Sequence, residues 1–142
     1  MSTSADEVLN EVPGAQHLFD WFGYWPTFHD AEVLSVEFQR SEPSKIRVHT
    51  WETTKEVDAK GYFVCRKHCV VTFSLENLTK VDVQHFNNQS ALSDLEFYKD
   101  GYEFVLYFHP GHGLQGSIRA ERVAIELQAG IPSDSQYQDT TS

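Results

Sequence analysis

The chain has 142 residues, enough for one domain with a substantial core and too few for two of ordinary size. Hydrophobic residues make up 40% and charged residues 23%, which excludes a disordered chain, and no apolar run reaches the roughly 18 to 20 residues of a membrane span. The formal charge of −10, from 21 acidic against 11 basic side chains with Arg66 and Lys67 the only adjacent basic pair, excludes the clustered cations that track phosphates, so nucleic acid is not an expected partner.

Residues 1–14 are polar, acidic and end in Pro13-Gly14, which reads as a flexible head. They lack the basic-then-apolar order of a secretory leader, so cytoplasmic residence is the expectation. Residues 130–142, with Pro132 followed by Ser, Asp, Gln and Thr, read as a flexible tail, leaving 15–129 as a single β-rich domain. Ala15 to Phe22 carries Leu18, Trp21 and Phe22 at helical spacing, and Gly23 stops that helix.

From Glu32 onward the pattern has period two. Glu32 to Arg40 puts Leu34, Val36 and Phe38 on one face and Ser35, Glu37 and Gln39 on the other. After the turn Glu42-Pro43-Ser44, Lys45 to Glu52 sets Ile46, Val48 and Thr50 opposite Arg47, His49 and Trp51, completing a hairpin. Gly61 to Ser74 reads as one strand and Leu78 to Phe86 as another, divided at Glu76-Asn77. Leu95 to Lys99 and Tyr102 to His109 flank Asp100-Gly101, a tight-turn dipeptide. In Ser117 to Gln128, Ile118 and Ala120 share one parity while Val123, Ile125 and Leu127 share the other, which predicts a bulge near Glu121-Arg122. Seven or so short strands with almost no helix predict a mainly β fold, a curled antiparallel sheet closed as a barrel or packed as a sandwich, capped by the short N-terminal helix.

Few residues carry recognisable chemistry. Cys65 and Cys69, four apart in an extended stretch, lie about 13 Å apart and are expected as free thiols. Gly111-His112-Gly113-Leu114-Gln115-Gly116 spells the dinucleotide fingerprint, but a strand follows it where the phosphate-binding helix should start. His29-Asp30 resembles a metal doublet of helical phosphohydrolases; here it leads into a strand, where Asp30 can accept from backbone N–H groups or orient His29. A metal- or ligand-binding β-domain, with enzymatic action open to it, would use His29, Asp30, His109 and His112. No nucleophile elbow is present, and neither catalytic residues nor a cofactor or resident metal are expected.

The segment from Phe22 to Val33 is the most singular, with Phe22, Tyr24, Trp25 and Phe28 within seven positions. Such aromatics either plug the sheet or form an anchor patch for another protein, and Tyr24 and Trp25 are the ones expected to stay partly exposed. Trp25, Pro26, Phe28, His29, Asp30, Ala31 and Glu32 together resemble a motif of the immunity protein 50 family, predicted immunity proteins of bacterial polymorphic toxin systems. Phe86-Asn87-Asn88-Gln89 and Gly113 to Arg119 are similar to further family blocks, with Asn88 and Ser90 standing where the pattern has His and Asn. The resemblance implies a cytosolic binder that neutralises a cognate toxin by occlusion. The acidic excess suits a basic partner surface, although a solvated acidic exterior has the same composition. Charged or aromatic residues expected outside the core, and so expected to touch the partner, are Glu32, Glu37, Trp51, Glu52, Glu56, Asp58, Asp94 and Glu96. Self-association as a homodimer through an exposed sheet edge is the remaining alternative.

Overall fold

The computed structural model describes residues 5–136; the ends of the expected flexible head and tail, 1–4 and 137–142, lie outside the described residues. Six strands follow two short helices: α1 (Ala5–Glu11), α2 (Ala15–Phe22), β1 (Glu32–Glu37), β2 (Ser44–Val57), β3 (Phe63–Gln84), β4 (Ala91–Asp100), β5 (Glu103–His112) and β6 (Gln115–Ala129). All pairs are antiparallel, in the order β1-β2-β3-β6-β5-β4, and the sheet curls until its first and last strands meet. The mainly β, curled antiparallel expectation holds, and the closed, barrel-like arrangement rather than a sandwich is what forms.

The closing seam is short. Only Glu32↔Ala91 is a registered pair between β1 and β4. The aromatic segment before β1 continues the contact: Leu95 N–H reaches Thr27 O (3.0 Å), Asp30 N–H reaches Leu92 O (2.9 Å), and Leu92 N–H reaches Ala31 O (2.9 Å). Phe28, 1% exposed, enters the core there and packs on Phe73, which meets Phe97, which meets Phe104, with ring centroids 5.6 to 6.0 Å apart. Tyr24 stays 45% exposed, and Trp25 is half-buried against Phe97, as expected for those two.

The helix over Ala15–Phe22 forms as its spacing predicts, buries Leu18 and Phe22, and ends where Gly23 N–H returns to Phe19 O. The expected flexible head needs correction over Ala5–Glu11, which is helical; Val8 and Val12, one turn apart, are buried in the same core. A single turn of apolar spacing amid polar residues is too short to read as periodic.

Three strand expectations also change. Gly61–Ser74 and Leu78–Phe86 are one strand, β3, because the ladder to β6 continues through Glu76↔Arg122 and Leu78↔Ala120. Asn77 adopts φ 56, a conformation asparagine tolerates, and Glu76-Asn77 opposite Glu121-Arg122 both turn outward together. The parity switch in β6 is therefore real, but the register shift lies between Leu78 and Lys80, which leaves Thr79, not Glu121-Arg122, as the bulged residue. In β1 the register shifts between Val33 and Ser35, so Val33 and Val36 pack on the core instead of Leu34, and Phe38 lies past the strand end at 44% exposure.

The Asp100-Gly101 hairpin forms as predicted, closed by Asp100↔Glu103. Gly101 has φ 66 and Tyr102 does not share the positive φ, the II′-like pattern that suits the twist of the flanking strands. No helix among the described residues is long and apolar enough to cross a membrane.

Candidate functional site

Glu32 and His49 face each other across the β1–β2 ladder, and Val70 continues the row on β3. Strand parity puts all three on the outer side, since their neighbours Val33, Val48 and Val71 enter the core. Yet Glu32 and Val70 are each 6% exposed and His49 is fully buried. The segment after β6 covers them. Gly130 N–H donates to His68 O (2.8 Å), and Arg47 Nη1 donates to Asp134 Oδ2 (3.1 Å). Ser135 Oγ then donates to Glu32 Oε1 (2.5 Å) and Gln136 N–H to Glu32 Oε2 (2.8 Å). The expectation of a flexible tail is thus corrected over 130–136, which crosses the outer faces of β3, β2 and β1 in turn.

His49 Nδ1 lies 2.7 Å from Glu32 Oε1 and donates to it, and its Nε2 lies 3.0 Å from His68 Nδ1, so the two rings are joined by one hydrogen bond. Trp51 lies against both rings, with centroids 4.8 Å from His49 and 5.6 Å from His68. Ser, His and Glu are the residue types of a hydrolytic triad, but the arrangement differs. Ser135 Oγ sits 3.4 Å from His49 Nδ1, the same nitrogen that faces the carboxylate, whereas a triad needs serine and acid on opposite nitrogens. The hydroxyl here donates to the carboxylate.

A second polar group lies on the outer side of β4 and β5. The register shifts between Ala91 and Leu92 and again between Leu92 and Asp94. Asp94 and Glu96 both leave the core side, and His109 Nε2 stands 2.6 Å from Glu96 Oε1 and 3.6 Å from Asp94 Oδ1. Nearby, Phe28 (φ 62) and Asp30 (φ 63) bracket a tight turn that exposes His29 and Asp30, with side chains 71% and 66% accessible. His29 Nε2 lies 3.4 Å from Asp30 Oδ2 and its Nδ1 donates to Ser93 O (2.9 Å). The His29 ring is thus held by its bond to Ser93 O, and the turn is pinned to the sheet by the Asp30 backbone N–H, which donates to Leu92 O. Beside Asp94 and Glu96 runs a shallow depression of about 240 Å³ floored by Trp25, Pro26 and Phe97.

The carboxylates of Asp30, Asp94 and Glu96 share one property. Among the described residues their ion-pair partners are histidines alone. Several other carboxylates are matched by permanent cations: Arg47 holds Asp134, Lys99 holds Glu11, Arg119 holds Asp100 and Glu103, and Arg122 holds Glu76. The outer β4–β5 face thus carries uncompensated negative charge.

The remaining expected contact residues are placed elsewhere. Trp51, Glu52, Glu56 and Asp58 belong to a two-stranded ribbon, because β2 beyond His49 has lost β1 and β3 before Cys69 has not yet met β6. Glu52 accepts from Tyr24 OH (2.8 Å) and Arg66 Nε (3.1 Å), and these two bonds hold its carboxyl below the ordinary value. Partial burial, then the bond to Glu52, pushes the Tyr24 phenol up. Glu56 lies 4.0 Å from Arg66, and Asp58 Oδ1 accepts from Lys60 and Tyr62 N–H to shape the ribbon's turn. Glu37 is exposed at the end of β1 and accepts from Gln39. Glu32, expected to touch a partner, instead touches its own chain.

Other motifs settle into structural roles. Strand β5 ends and β6 begins within the Gly-rich stretch, so no helix faces a phosphate there. His109 and His112 are not gathered with His29, and no group of three or more His, Cys, Asp or Glu among the described residues is arranged to hold a metal ion. Cys65 and Cys69 are both free thiols, one exposed and one buried. Ser90 Oγ accepts from Asn87 N–H (3.0 Å) and Leu114 N–H (3.1 Å), tying two loops together at the position where the resemblance pattern departs. His49, His68 and Ser135 escaped the sequence reading. His49 alternates as an outward residue, and nothing local signals that a serine 86 positions later will bury it.

A family model described as Immunity protein 50 matches residues 14–129. No curated protein matches the chain, and no solved structure does.

Proposed function

The chain belongs to the immunity protein 50 family, and on that premise we propose that it neutralises a cognate protein toxin in the cytoplasm by binding and covering it, without chemistry of its own. The observation that carries the reading is the family match across the whole sheet and α2, from Gly14 to Ala129. The outer β4–β5 face supports it: Asp30, Asp94 and Glu96, whose ion pairs among the described residues are to histidine alone, lie beside the apolar depression at Trp25 and Pro26. Uncompensated charge of one sign speeds encounter with a surface of the other, and an aromatic shelf supplies burial once contact is made. The partner surface is therefore basic, as a cleft that binds a polyanion is.

Co-expression with the product of the neighbouring open reading frame, scored by growth, tests this. Wild type should restore growth, and the double change Asp94→Lys with Glu96→Lys should weaken the rescue while the purified variant keeps the wild-type unfolding midpoint. A neighbouring product that is harmless, or rescue indifferent to the charge reversal, overturns respectively the toxin pairing and the assigned face.

A further inference from the structure

The strip Glu32–His49–Val70 is built entirely from residues of the sheet, yet what satisfies it comes from outside the sheet. Glu32 has two carboxylate oxygens at the closing seam, and within β1 to β6 the described donor to them is His49 Nδ1. The other two donors, Ser135 O–H and Gln136 N–H, belong to a segment that follows the family-matched residues. That segment adds no strand and contributes nothing to the core cluster. Its hold on the sheet is polar: Gly130 on His68, Asp134 on Arg47, Ser135 and Gln136 on Glu32, and Gln136 Nε2 on Asn88 O (3.5 Å). A carboxylate on the outer face of a finished sheet, with two of its three described donors supplied by a segment that follows the sheet, is a receptor for donors.

We propose that Glu32, with His49 and Val70, forms a peptide-binding site on the outer face of β1–β2–β3, and that residues 130–136 of this same chain occupy it in cis. The ligand class follows from the contacts. It is an extended segment that offers a side-chain hydroxyl to one carboxylate oxygen and the next residue's backbone N–H to the other. An acidic side chain one residue before the hydroxyl completes it, since Arg47 waits there for Asp134. His49 fixes the carboxylate's orientation, and His68 and Trp51 fix His49. The site goes beyond the immunity reading and does not depend on it.

Amide hydrogen exchange by NMR on the full-length protein tests the occupancy. The Gln136 amide should exchange at least about tenfold more slowly than in an unstructured chain, Glu32→Gln and Ser135→Ala should each abolish that protection, and Ser135→Thr, which keeps the hydroxyl, should retain it. The Phe73 amide, deep in the β2–β3–β6 ladder, reports in every variant that the fold is intact. The site itself is tested in trans. A Gln136→Pro variant lacks the N–H that its own tail would offer, so a blocked synthetic peptide of residues 130–136 should shift the His49 and His68 ring resonances saturably. The same peptide should leave Gln136→Pro combined with Glu32→Gln unchanged. A Gln136 amide that exchanges at the unstructured rate in wild type, protection that survives Glu32→Gln, or a peptide that moves neither ring, each overturns the proposal.

Discussion

A β-carbon on Gly14 would stand 1.7 Å from the carbonyl oxygen of Ile125. The residue begins α2 with φ 87, and beside it Ile125 N–H donates to Pro13 O at 2.7 Å, so the turn into the helix lies directly on the backbone of β6. Gly14→Ala must move either the helix or the strand. It should cost more than about 2 kcal/mol in urea unfolding, whereas Gly23→Ala, with φ 85 but no neighbour within 4 Å, should cost only the roughly 1 kcal/mol of a left-handed residue. Equal losses at the two positions would remove the close contact as the cause.

His29 and Asp30 should contribute little to the stability of the fold. Their side chains are mostly in water, and the bond that anchors the turn runs from the Asp30 backbone to Leu92 O. His29→Ala and Asp30→Asn should each change unfolding free energy by no more than about 0.5 kcal/mol, asparagine being tolerant of the φ of 63. If growth rescue nevertheless falls in these variants, the pair serves the partner surface and not the scaffold.

The Tyr24–Glu52–Arg66 link gives stability a dependence on pH at both ends. Glu52 has its folded-state pKa held down, first by Tyr24 and then by Arg66, so its contribution is present above the ordinary glutamate value of about 4.3 and is lost as pH falls through the lower folded value. Tyr24 is shifted the other way. Its contribution is present below the ordinary tyrosine value of about 10 and is lost as pH rises through the raised one. Tyr24→Phe should flatten both limbs of a plot of urea midpoint against pH, and Glu52→Gln should flatten the acid limb as well as reduce the alkaline one. A profile unchanged by Tyr24→Phe would break the link.

The two thiols should differ in reactivity. Burial pushes the Cys69 pKa up to about 12, while Cys65 is exposed at the ribbon. At about pH 8 the thiolate fraction of Cys69 is on the order of 10⁻⁴, so the native protein should give one fast-reacting thiol with an aromatic disulfide reagent. Cys65→Ser should abolish the fast phase, and a fast thiol remaining in that variant would show that Cys69 is reached.

Sequence periodicity was informative wherever a residue's place depends on its neighbours. Leu18 and Phe22 share a helical face, Ile46 and Val48 share a strand face, and Gly101 turns a hairpin, all from spacing and backbone preference. The parity change in β6 was visible too, because Ile118 and Ala120 fall out of step with Val123 and Ile125. Its companion on β3 reads locally as a break between strands, because Glu76-Asn77 has the residues of a turn, and only pairing with Glu121-Arg122 keeps it in the ladder.

What the amino-acid order determined alone was the β character of the chain, its first well-read helix, its tightest hairpin and the unusual segment that carries the family. Tertiary structure decided which outward residues remain outward. Glu32 and His49 obey strand alternation and face away from the core, yet both are covered by Ser135, 103 and 86 positions further along. Alternation is fixed by the backbone within a few residues, whereas burial of an outer face depends on where a distant segment comes to rest, and that is set by the closed sheet as a whole.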